Sequence, residues 1–130
     1  MKTIGVIGTR RRDTEEDFLE VEKVFFRFYK PGDIICSGLC PRGGDRFAVI
    51  LQRKYNLKYI WYPADWKRYG KRAGFLRNTD IALTSDILIA RIHPDRTGGT
   101  EDTIKKFIKF KGNDLNLRLI YDKSPLDEIF

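Results

Sequence analysis

Five short apolar segments, rich in Ile, Val and Leu, are distributed along the chain and are bounded by Gly, Pro or charged residues. Segments of this kind are typical of buried β-strands. The first of them, KTIGVIG, is rich in β-forming residues and ends in glycine. The pattern predicts strands over residues 2–8, 33–38, 57–63, 86–92 and 115–121.

Helical periodicity fills the intervals between these segments. In the first interval Phe18, Val21 and Phe25 fall on one face of a helix, and Asp13 with Glu16 forms a start similar to a capping box. Glycine pairs stand at the start of two later intervals, where helices are expected to begin. The pattern predicts helices over about residues 14–29, 43–56, 73–85 and 98–110.

The regular alternation of strands and helices predicts an α/β fold. We expect a Rossmann-like, three-layer α/β/α arrangement with a five-stranded, mainly parallel sheet and helices on both faces. Residues 1–121 should form one domain, and residues 122–130 should form a peripheral C-terminal tail. In such sheets, ligands bind at the carboxyl ends of the strands, near the point where the strand order reverses.

Four segments should line this carboxyl edge, because each follows one of the first four predicted strands. Their sequences are GTRRRD, SGLCPRGGD, YPADWKRYGKRAGFLRN and HPDRTGGT, and all four contain Arg. Gly43 with Gly44, and Gly98 with Gly99, open predicted helices, where a phosphate could lie against free backbone N–H groups. Each turn taken alone is better explained as a tight connection between a strand and a helix, but together the segments favour an anionic small-molecule site.

The third of these segments, residues 62–78, combines five basic and four aromatic residues. We interpret it as a mobile basic flap over the site. Arg77 should pair with a phosphate, because a guanidinium can donate two parallel hydrogen bonds. Asn78 could bind a base or ribose or cap the neighbouring loop, and Trp66 could stack on a base or hold the loop against the core.

Composition narrows the class of partner. The chain has 25 Lys and Arg against 18 Asp and Glu, a formal charge of +7, which favours anionic partners. No apolar run approaches the roughly 20 residues of a membrane span, and no charged-then-apolar leader opens the chain. We therefore expect a cytoplasmic protein without a membrane partner.

Several common sites are not indicated by the sequence. Cys36 and Cys40 are the only cysteines and His93 is the only histidine, which makes a poor zinc site, so no metal is predicted. Neither a G-x-G-x-x-G fingerprint nor a Walker G-x-x-x-x-G-K-[ST] motif occurs. An ordinary NAD dehydrogenase and a P-loop NTPase are therefore disfavoured, and no cofactor is predicted.

The four segments at the carboxyl edge resemble the motifs of the SLOG superfamily, which groups the DprA/SMF DNA-processing proteins with the LOG-type proteins. The quoted matches are GTRRR, SGLCPRGGDRFA, YPADWKRYGKRAGFLRN and SDILIARI followed by GGT. The small YspA-like branch is the most similar, and the resemblance extends from about Thr3 to Lys109. It implies a Rossmann-like protein that binds a nucleotide or a nucleotide-derived ligand.

The resemblance and the loop positions together nominate the ligand-binding residues. They are Gly8, Thr9, Arg10, Ser37, Gly38, Gly43, Gly44, Asp45, Trp66, Arg77, Asn78, Gly98, Gly99 and Thr100.

One departure from the LOG-type pattern concerns catalysis. LOG-type phosphoribohydrolases carry P-G-G-x-G-T-x-x-E, whose Glu acts in cleavage of the N-glycosidic bond. Thr103 stands at that position here, and Glu101 and Asp102, although close in sequence, should point to other helix faces. Binding is therefore better supported than that particular hydrolysis.

Three functions stay open at this point. The first is a sensor or carrier that binds a nucleotide derivative without chemistry. The second is an N-glycosidic hydrolase of nucleotides, with Asp45, Glu101 or Asp102 as the catalytic carboxylate. The third is single-stranded nucleic-acid binding of the DprA type, suggested by the charge and the aromatic–basic segment. Whether the protein is an enzyme, and whether it forms a homodimer, is left open.

Overall fold

The computed structural model describes residues 1–122 of the 130-residue chain, and its centre is a five-stranded parallel sheet. The strands are β1 (Thr3–Gly8), β2 (Ile34–Ser37), β3 (Lys58–Trp61), β4 (Ile87–Arg91) and β5 (Leu117–Ile120). They are ordered β3-β2-β1-β4-β5, and every neighbouring pair is parallel. The predicted α/β class is confirmed, and the sheet is entirely rather than mainly parallel over the described residues.

Helices connect the strands in the predicted order. They are α1 (Glu15–Phe28), α2 (Gly44–Tyr55), α3 (Trp66–Tyr69), α4 (Ala73–Thr84) and α5 (Gly99–Lys111), with a 3₁₀ turn at Gly70–Arg72 before α4. α3 and the 3₁₀ turn lie in the segment that we interpreted as a flap, and the sequence pattern did not predict them. The other four helices agree with the predicted ranges within a residue or two at each end.

Two apolar clusters show that the helices cover opposite faces of the sheet. Phe18 and Val21 of α1 pack with Phe47 and Leu51 of α2 on one face. Ile81 of α4, and Ile104 and Phe107 of α5, pack together on the other. Because the chain changes face between β3 and β4, the strand order reverses between β1 and β4. The carboxyl ends of these two strands therefore border the crevice where such folds bind ligands.

The capping box at the start of α1 is formed by Thr14 and Asp17. The predicted pair, Asp13 and Glu16, was wrong. The Thr14 hydroxyl accepts from the Asp17 N–H at 3.1 Å, and the Asp17 carboxylate accepts from the Thr14 N–H at 3.1 Å. Thr14 is the residue with extended backbone before the helix, so it has the geometry of a capping box. Asp13 instead accepts from the Gly43 N–H at 2.7 Å and from Arg46 Nε at 2.8 Å, which links the loop after β1 to α2.

The C-terminal end of the described chain is held at the carboxyl edge of the sheet. The Asp122 carboxylate accepts from Arg12 Nε at 2.7 Å and from Arg91 Nη2 at 2.9 Å. Asp122 is thus tied to the loop after β1 and to β4, and the rest of the predicted tail, residues 123–130, lies outside the described residues. Within residues 1–122, no helix is both long and apolar enough to cross a membrane.

We expect Gly44→Ala to destabilise the fold, although alanine is the better helix former. A Cβ at position 44 would lie 2.0 Å from the carbonyl carbon of Ile7 and 2.1 Å from the Gly8 nitrogen, so α2 would have to move off β1. Overpacking of this kind costs about 1–3 kcal/mol, which urea unfolding would measure as a lower midpoint. Gly74→Ala is the matched control in the first turn of α4, because its Cβ would make ordinary contacts with Trp66 Cη2 at 3.4 Å and Arg77 Nη2 at 3.9 Å. Equal midpoints for the two variants would contradict the prediction.

Candidate functional site

A cavity of about 370 Å³ opens at the carboxyl edge of the sheet, where the strand order reverses. Its wall is formed by the end of β1 and the loop after it, by the loop that precedes α2 and the first turn of α2, by the middle of α4, and by the start of α5 with the loop before it. Nine of the predicted ligand-binding residues line it: Gly8, Thr9, Arg10, Asp45, Arg77, Asn78, Gly98, Gly99 and Thr100. Residues far apart in the sequence are therefore brought together as expected for a single site.

Four other predicted residues lie behind this wall. Ser37 is fully buried below Asp45, and the Gly38 carbonyl accepts from Arg77 Nη1 at 2.8 Å. Gly43 has a φ of 74°, and a Cβ there would lie 2.3 Å from the Thr9 carbonyl oxygen. Gly43 and Gly44 thus allow α2 to approach β1 closely, and the structure gives them no surface in the cavity.

Trp66 lies outside the cavity wall. It is 56% exposed at the start of α3, and the edge of its ring faces Gly74 on α4. It neither lines the cavity nor packs into either apolar cluster. Around it, four exposed basic side chains form no ion pair with any described residue: Lys67, Arg68, Lys71 and Arg72.

Two arginines in the cavity wall have donor groups available. Arg10 is exposed and forms neither a hydrogen bond nor an ion pair within residues 1–122. Arg77 donates from Nη1 to the Gly38 carbonyl and from Nε to Asn78 Oδ1 at 3.2 Å, whereas its Nη2 has no acceptor among the described residues. The guanidinium is thereby held in place with one donor nitrogen free, which is a suitable state for binding an anion.

Arg11 also lines the cavity, but it is paired. Its Nη2 donates to Asp95 Oδ1 at 2.7 Å, and the two hydrogen bonds of this pair join the loop after β1 to the loop after β4. Both side chains are about half exposed, so solvent weakens the pair. An anion in the cavity could therefore replace Asp95 as the hydrogen-bond partner of Arg11.

The start of α5 supplies free backbone donors to the same cavity. Gly98 has a φ of 96° and precedes the helix without a side-chain cap, and the first hydrogen bond within α5 is from Asp102 N to the Gly98 carbonyl at 3.2 Å. The N–H groups of Gly99, Thr100 and Glu101 therefore have no acceptor within residues 1–122. Because these groups carry the positive end of the helix dipole, this end of α5 favours a negatively charged ligand.

Asn78 fixes the position of α5 relative to α4. It is buried, and its amide nitrogen donates to the Gly99 carbonyl at 3.3 Å and to Asp102 Oδ2 at 3.1 Å. Its oxygen accepts from Arg77 Nε. Of the two roles considered for Asn78, these contacts correspond to a cap on the neighbouring loop.

The three candidate catalytic carboxylates have different environments. Asp45 lines the cavity and is only 7% exposed. Glu101 instead accepts from Arg96 Nε at 2.8 Å, and Asp102 accepts from Lys106 Nζ at 2.8 Å as well as from Asn78. Neither of these two lines the cavity, whereas Thr103, which stands where the LOG-type enzymes have Glu, does.

Burial raises the pKa of Asp45 above its ordinary value. This effect is opposed by the hydrogen bond from the Cys40 N–H at 2.9 Å, by the Ser37 hydroxyl at 2.8 Å and by the charge of Arg77. Arg77 Nη1 lies 3.8 Å from Asp45 Oδ2, a longer distance than its hydrogen bond to the Gly38 carbonyl. The carboxyl group therefore has a counter-ion at ion-pair distance but accepts no hydrogen bond from it.

Sequence reasoning missed several residues of the cavity wall: Ile7, Arg11, Cys40, Ile81, Thr97 and Thr103. Helical spacing could have found Ile81, four residues after Arg77, and Thr103, four residues after Gly99. Arg11 and Thr97 are next to predicted residues in their loops. No sequence signal indicated Cys40, since its position depends on how the loop folds over Asp45.

Neither cysteine is in a disulfide. Burial raises the pKa of Cys36 to about 12, so its thiol is protonated at neutral pH. Within residues 1–122, no group of three or more His, Cys, Asp or Glu side chains is arranged to hold a metal ion.

Comparison of the chain with known protein families, with curated proteins and with solved structures found no match. The function has to be inferred from the chemistry of the cavity.

We expect Asn78→Asp to destabilise the protein at neutral pH. A carboxylate cannot donate to the Gly99 carbonyl and would face the Asp102 carboxylate, so about 1–3 kcal/mol should be lost in urea unfolding. Because the site disfavours the ionised form, the folded-state pKa of the new carboxyl lies above its ordinary value, so the lost stability should be recovered as the pH falls from that raised pKa to about 4. Asn113→Asp, at an exposed position, makes the same charge change and should have little effect. A loss that is independent of pH would show that the amide acts by shape alone.

Proposed function

We propose that the protein binds a nucleotide or nucleotide-derived ligand in the cavity and acts as a sensor or carrier. The main support is the free N-terminal end of α5, which opens into a cavity that also contains Arg10 and Arg77. Backbone N–H groups with a positive dipole and free guanidinium donors are the groups that recognise phosphate. The phosphate would lie between Gly99–Thr100 and Arg77.

The size and remaining chemistry of the cavity also support this proposal. A volume of about 370 Å³ lies in the usual range of small-molecule sites. Thr9, Thr97 and Thr100 bring hydroxyl groups to the wall, and Ile7 and Ile81 bring apolar surface, which suits a ribose and a base. The resemblance to the SLOG superfamily points to the same class of ligand.

Hydrolysis of the N-glycosidic bond is the alternative that uses the same cavity. Asp45 is the one candidate carboxylate with surface there, since Glu101 is paired with Arg96 and Asp102 with Lys106. Thr103 cannot replace a carboxylate as a general acid or base. Binding without this chemistry is therefore the better supported function.

Single-stranded nucleic-acid binding is a second candidate, favoured by a different surface. Trp66 and Phe75 are 56% and 58% exposed, close in sequence to the four unpaired cations at positions 67, 68, 71 and 72. Exposed aromatic rings among basic side chains can stack on bases while the cations contact phosphates. This surface lies outside the cavity, so the two candidate functions can be tested separately.

For nucleotide binding, we expect a rise in melting temperature with AMP, ADP-ribose or NAD. Ligand at about 100 times its dissociation constant stabilises a one-site protein by ~2.7 kcal/mol, which is several degrees for a domain of this size. Arg77→Ala should weaken binding by about 10- to 100-fold, since it removes a charge-assisted hydrogen bond. Arg72→Ala makes the same change of charge at an exposed position outside the cavity and should bind normally. Equal losses in both variants would indicate only general electrostatic attraction.

For the nucleic-acid surface, we expect Trp66→Ala to weaken binding of a labelled, unstructured oligonucleotide by about 1–3 kcal/mol, measured by fluorescence anisotropy at low salt. The nucleotide-dependent rise in melting temperature should not change in this variant. Tyr59→Ala removes another exposed aromatic ring, on the edge strand β3, and is the matched control. Absence of oligonucleotide binding at low salt would eliminate this candidate and leave the cavity proposal intact.

A further inference from the structure

The Ser37 hydroxyl group lies within hydrogen-bond distance of two oxygen atoms although it has only one proton. Its Oγ is 2.6 Å from the Val6 carbonyl oxygen and 2.8 Å from Asp45 Oδ1. A carbonyl oxygen can only accept, and an ionised carboxylate can only accept as well. With Asp45 ionised, the single proton of Ser37 has to be shared between the two acceptors in a bifurcated bond. With a proton on Asp45 Oδ1, Asp45 donates to Ser37 and Ser37 donates to Val6, so that both contacts become full hydrogen bonds.

The surroundings of this chain of groups favour the neutral acid. Val6 and Ser37 are fully buried and Asp45 is nearly so, and an ionised carboxylate is costly to bury without a close counter-ion. The guanidinium of Arg77 is the nearest cation, but it lies at the long end of ion-pair distance and does not donate a hydrogen bond to the carboxyl group. It donates to the neutral Gly38 carbonyl at 2.8 Å instead, and its distance to Asp45 Oδ2 is 3.8 Å.

Other groups around Asp45 favour the ionised form, and they set the range in which it titrates. The N–H group of Cys40 donates to the carboxyl group, and Asp45 lies in the first turn of α2. The titratable and charged side chains on the nearby parts of the elements around it are Cys36 of β2, Cys40 and Arg42 of the following loop, Arg46 of α2, Arg77 and Asp80 of α4, and Arg10, Arg11, Arg12 and Asp13 of the loop after β1. Cys36 stays protonated and Arg46 is paired with Asp13, so Arg77 is the charged group that can respond directly to Asp45.

We propose that Asp45 is a neutral carboxylic acid at neutral pH and that its ionisation draws Arg77 away from the cavity. When Asp45 Oδ1 releases its proton to solvent, the carboxylate gains a negative charge beside Arg77. Nη1 and Nη2 can then turn from the Gly38 carbonyl and the cavity toward Oδ2. The protonation state of one buried acid would thus control how many donors the cavity offers to an anion.

The consequence for binding rests on the proposed function of the cavity. An anion beside Arg77 favours the protonated form of Asp45, so binding takes up a proton when Asp45 is partly ionised. Because one proton is taken up with each anion, the affinity for the anion falls by at most about tenfold for each unit that the pH rises. Asp45 would act as a positioning residue for Arg77 and not as a group that touches the ligand's reacting atoms.

The first test needs no ligand. Carboxyl ¹³C resonances of the aspartates, followed by NMR against pH, should show Asp45 protonated at pH 7, with its signal assigned by its loss in Asp45→Asn. The Arg77 Nε–H resonance should shift with the same midpoint as Asp45 and become insensitive to this titration in Asp45→Asn. The asparagine amide can still donate to Ser37 and accept from Cys40, so the variant should fold.

Asp13→Asn is the matched control. It removes a carboxylate at the start of the same helix, one that pairs with Arg46 and has no surface in the cavity. The titration of the Asp45 carboxyl signal and the matching shift of the Arg77 Nε–H signal should both persist in this variant. An Asp45 signal that is already that of a carboxylate at pH 7, or an Arg77 signal that ignores the Asp45 titration, would overturn the inference.

The second test uses sulfate, whose charge is constant between about pH 5 and pH 9. Calorimetry at the midpoint of the Asp45 titration found by NMR, in two buffers of different ionisation enthalpy, should show proton uptake with the wild type and none with Asp45→Asn. Sulfate binding to the wild type without proton uptake would overturn the linkage and leave the anion site standing. If neither sulfate nor AMP binds, the proposed function fails and the linkage fails with it, whereas the NMR result on Asp45 and Arg77 is decided independently.

Discussion

The close approach of α2 to the end of β1 is the contact on which the geometry of the site depends. Gly44 touches the backbone of Ile7 and Gly8 with no room for a Cβ, and Gly43 lies equally close to the Thr9 carbonyl. Because β1 is the central strand, between β2 and β4, this contact fixes α2 at the point where the strand order reverses. It also places Asp45, the second residue of α2, at the wall of the cavity and beside β2.

On the side of the cavity opposite α2, a continuous set of polar contacts links α4 to α5. Arg77 donates to Asn78, Asn78 donates to Asp102, and Lys106 donates to the same carboxylate. Donors and acceptors alternate, so the Asn78 amide and the Asp102 carboxylate have their partners without a ligand, whereas Nη2 of Arg77 has no acceptor within residues 1–122. The negative charge of Asp102 is neutralised away from the cavity, and the wall keeps the positive charge of its arginines.

Periodicity located the strands and the long helices because strands at the centre of a parallel sheet are continuously apolar and the helices carry one apolar face. It gave no indication of α3, whose start depends on the Asp65 carboxylate accepting from a backbone N–H three residues later, and on Gly70 with a φ of 58° at its end. The loops of the candidate site could be nominated from Gly and Arg alone. The partners of Asp45 and Asn78 could not, because they come from other elements and depend on the final packing.

The pairing of the arginines determines which of them can meet a ligand without losing a partner. Arg12 is bound to Asp122, Arg46 to Asp13 and Arg96 to Glu101, so these three hold loops and helices in place. Among residues 1–122, Arg10 and Nη2 of Arg77 have no partner to give up, and neither do the free N–H groups at the start of α5. An anion that binds these donors gains hydrogen bonds without breaking any in the protein. The same argument explains why a charge on Asp45 would matter, since it would be a competing acceptor within reach of Arg77.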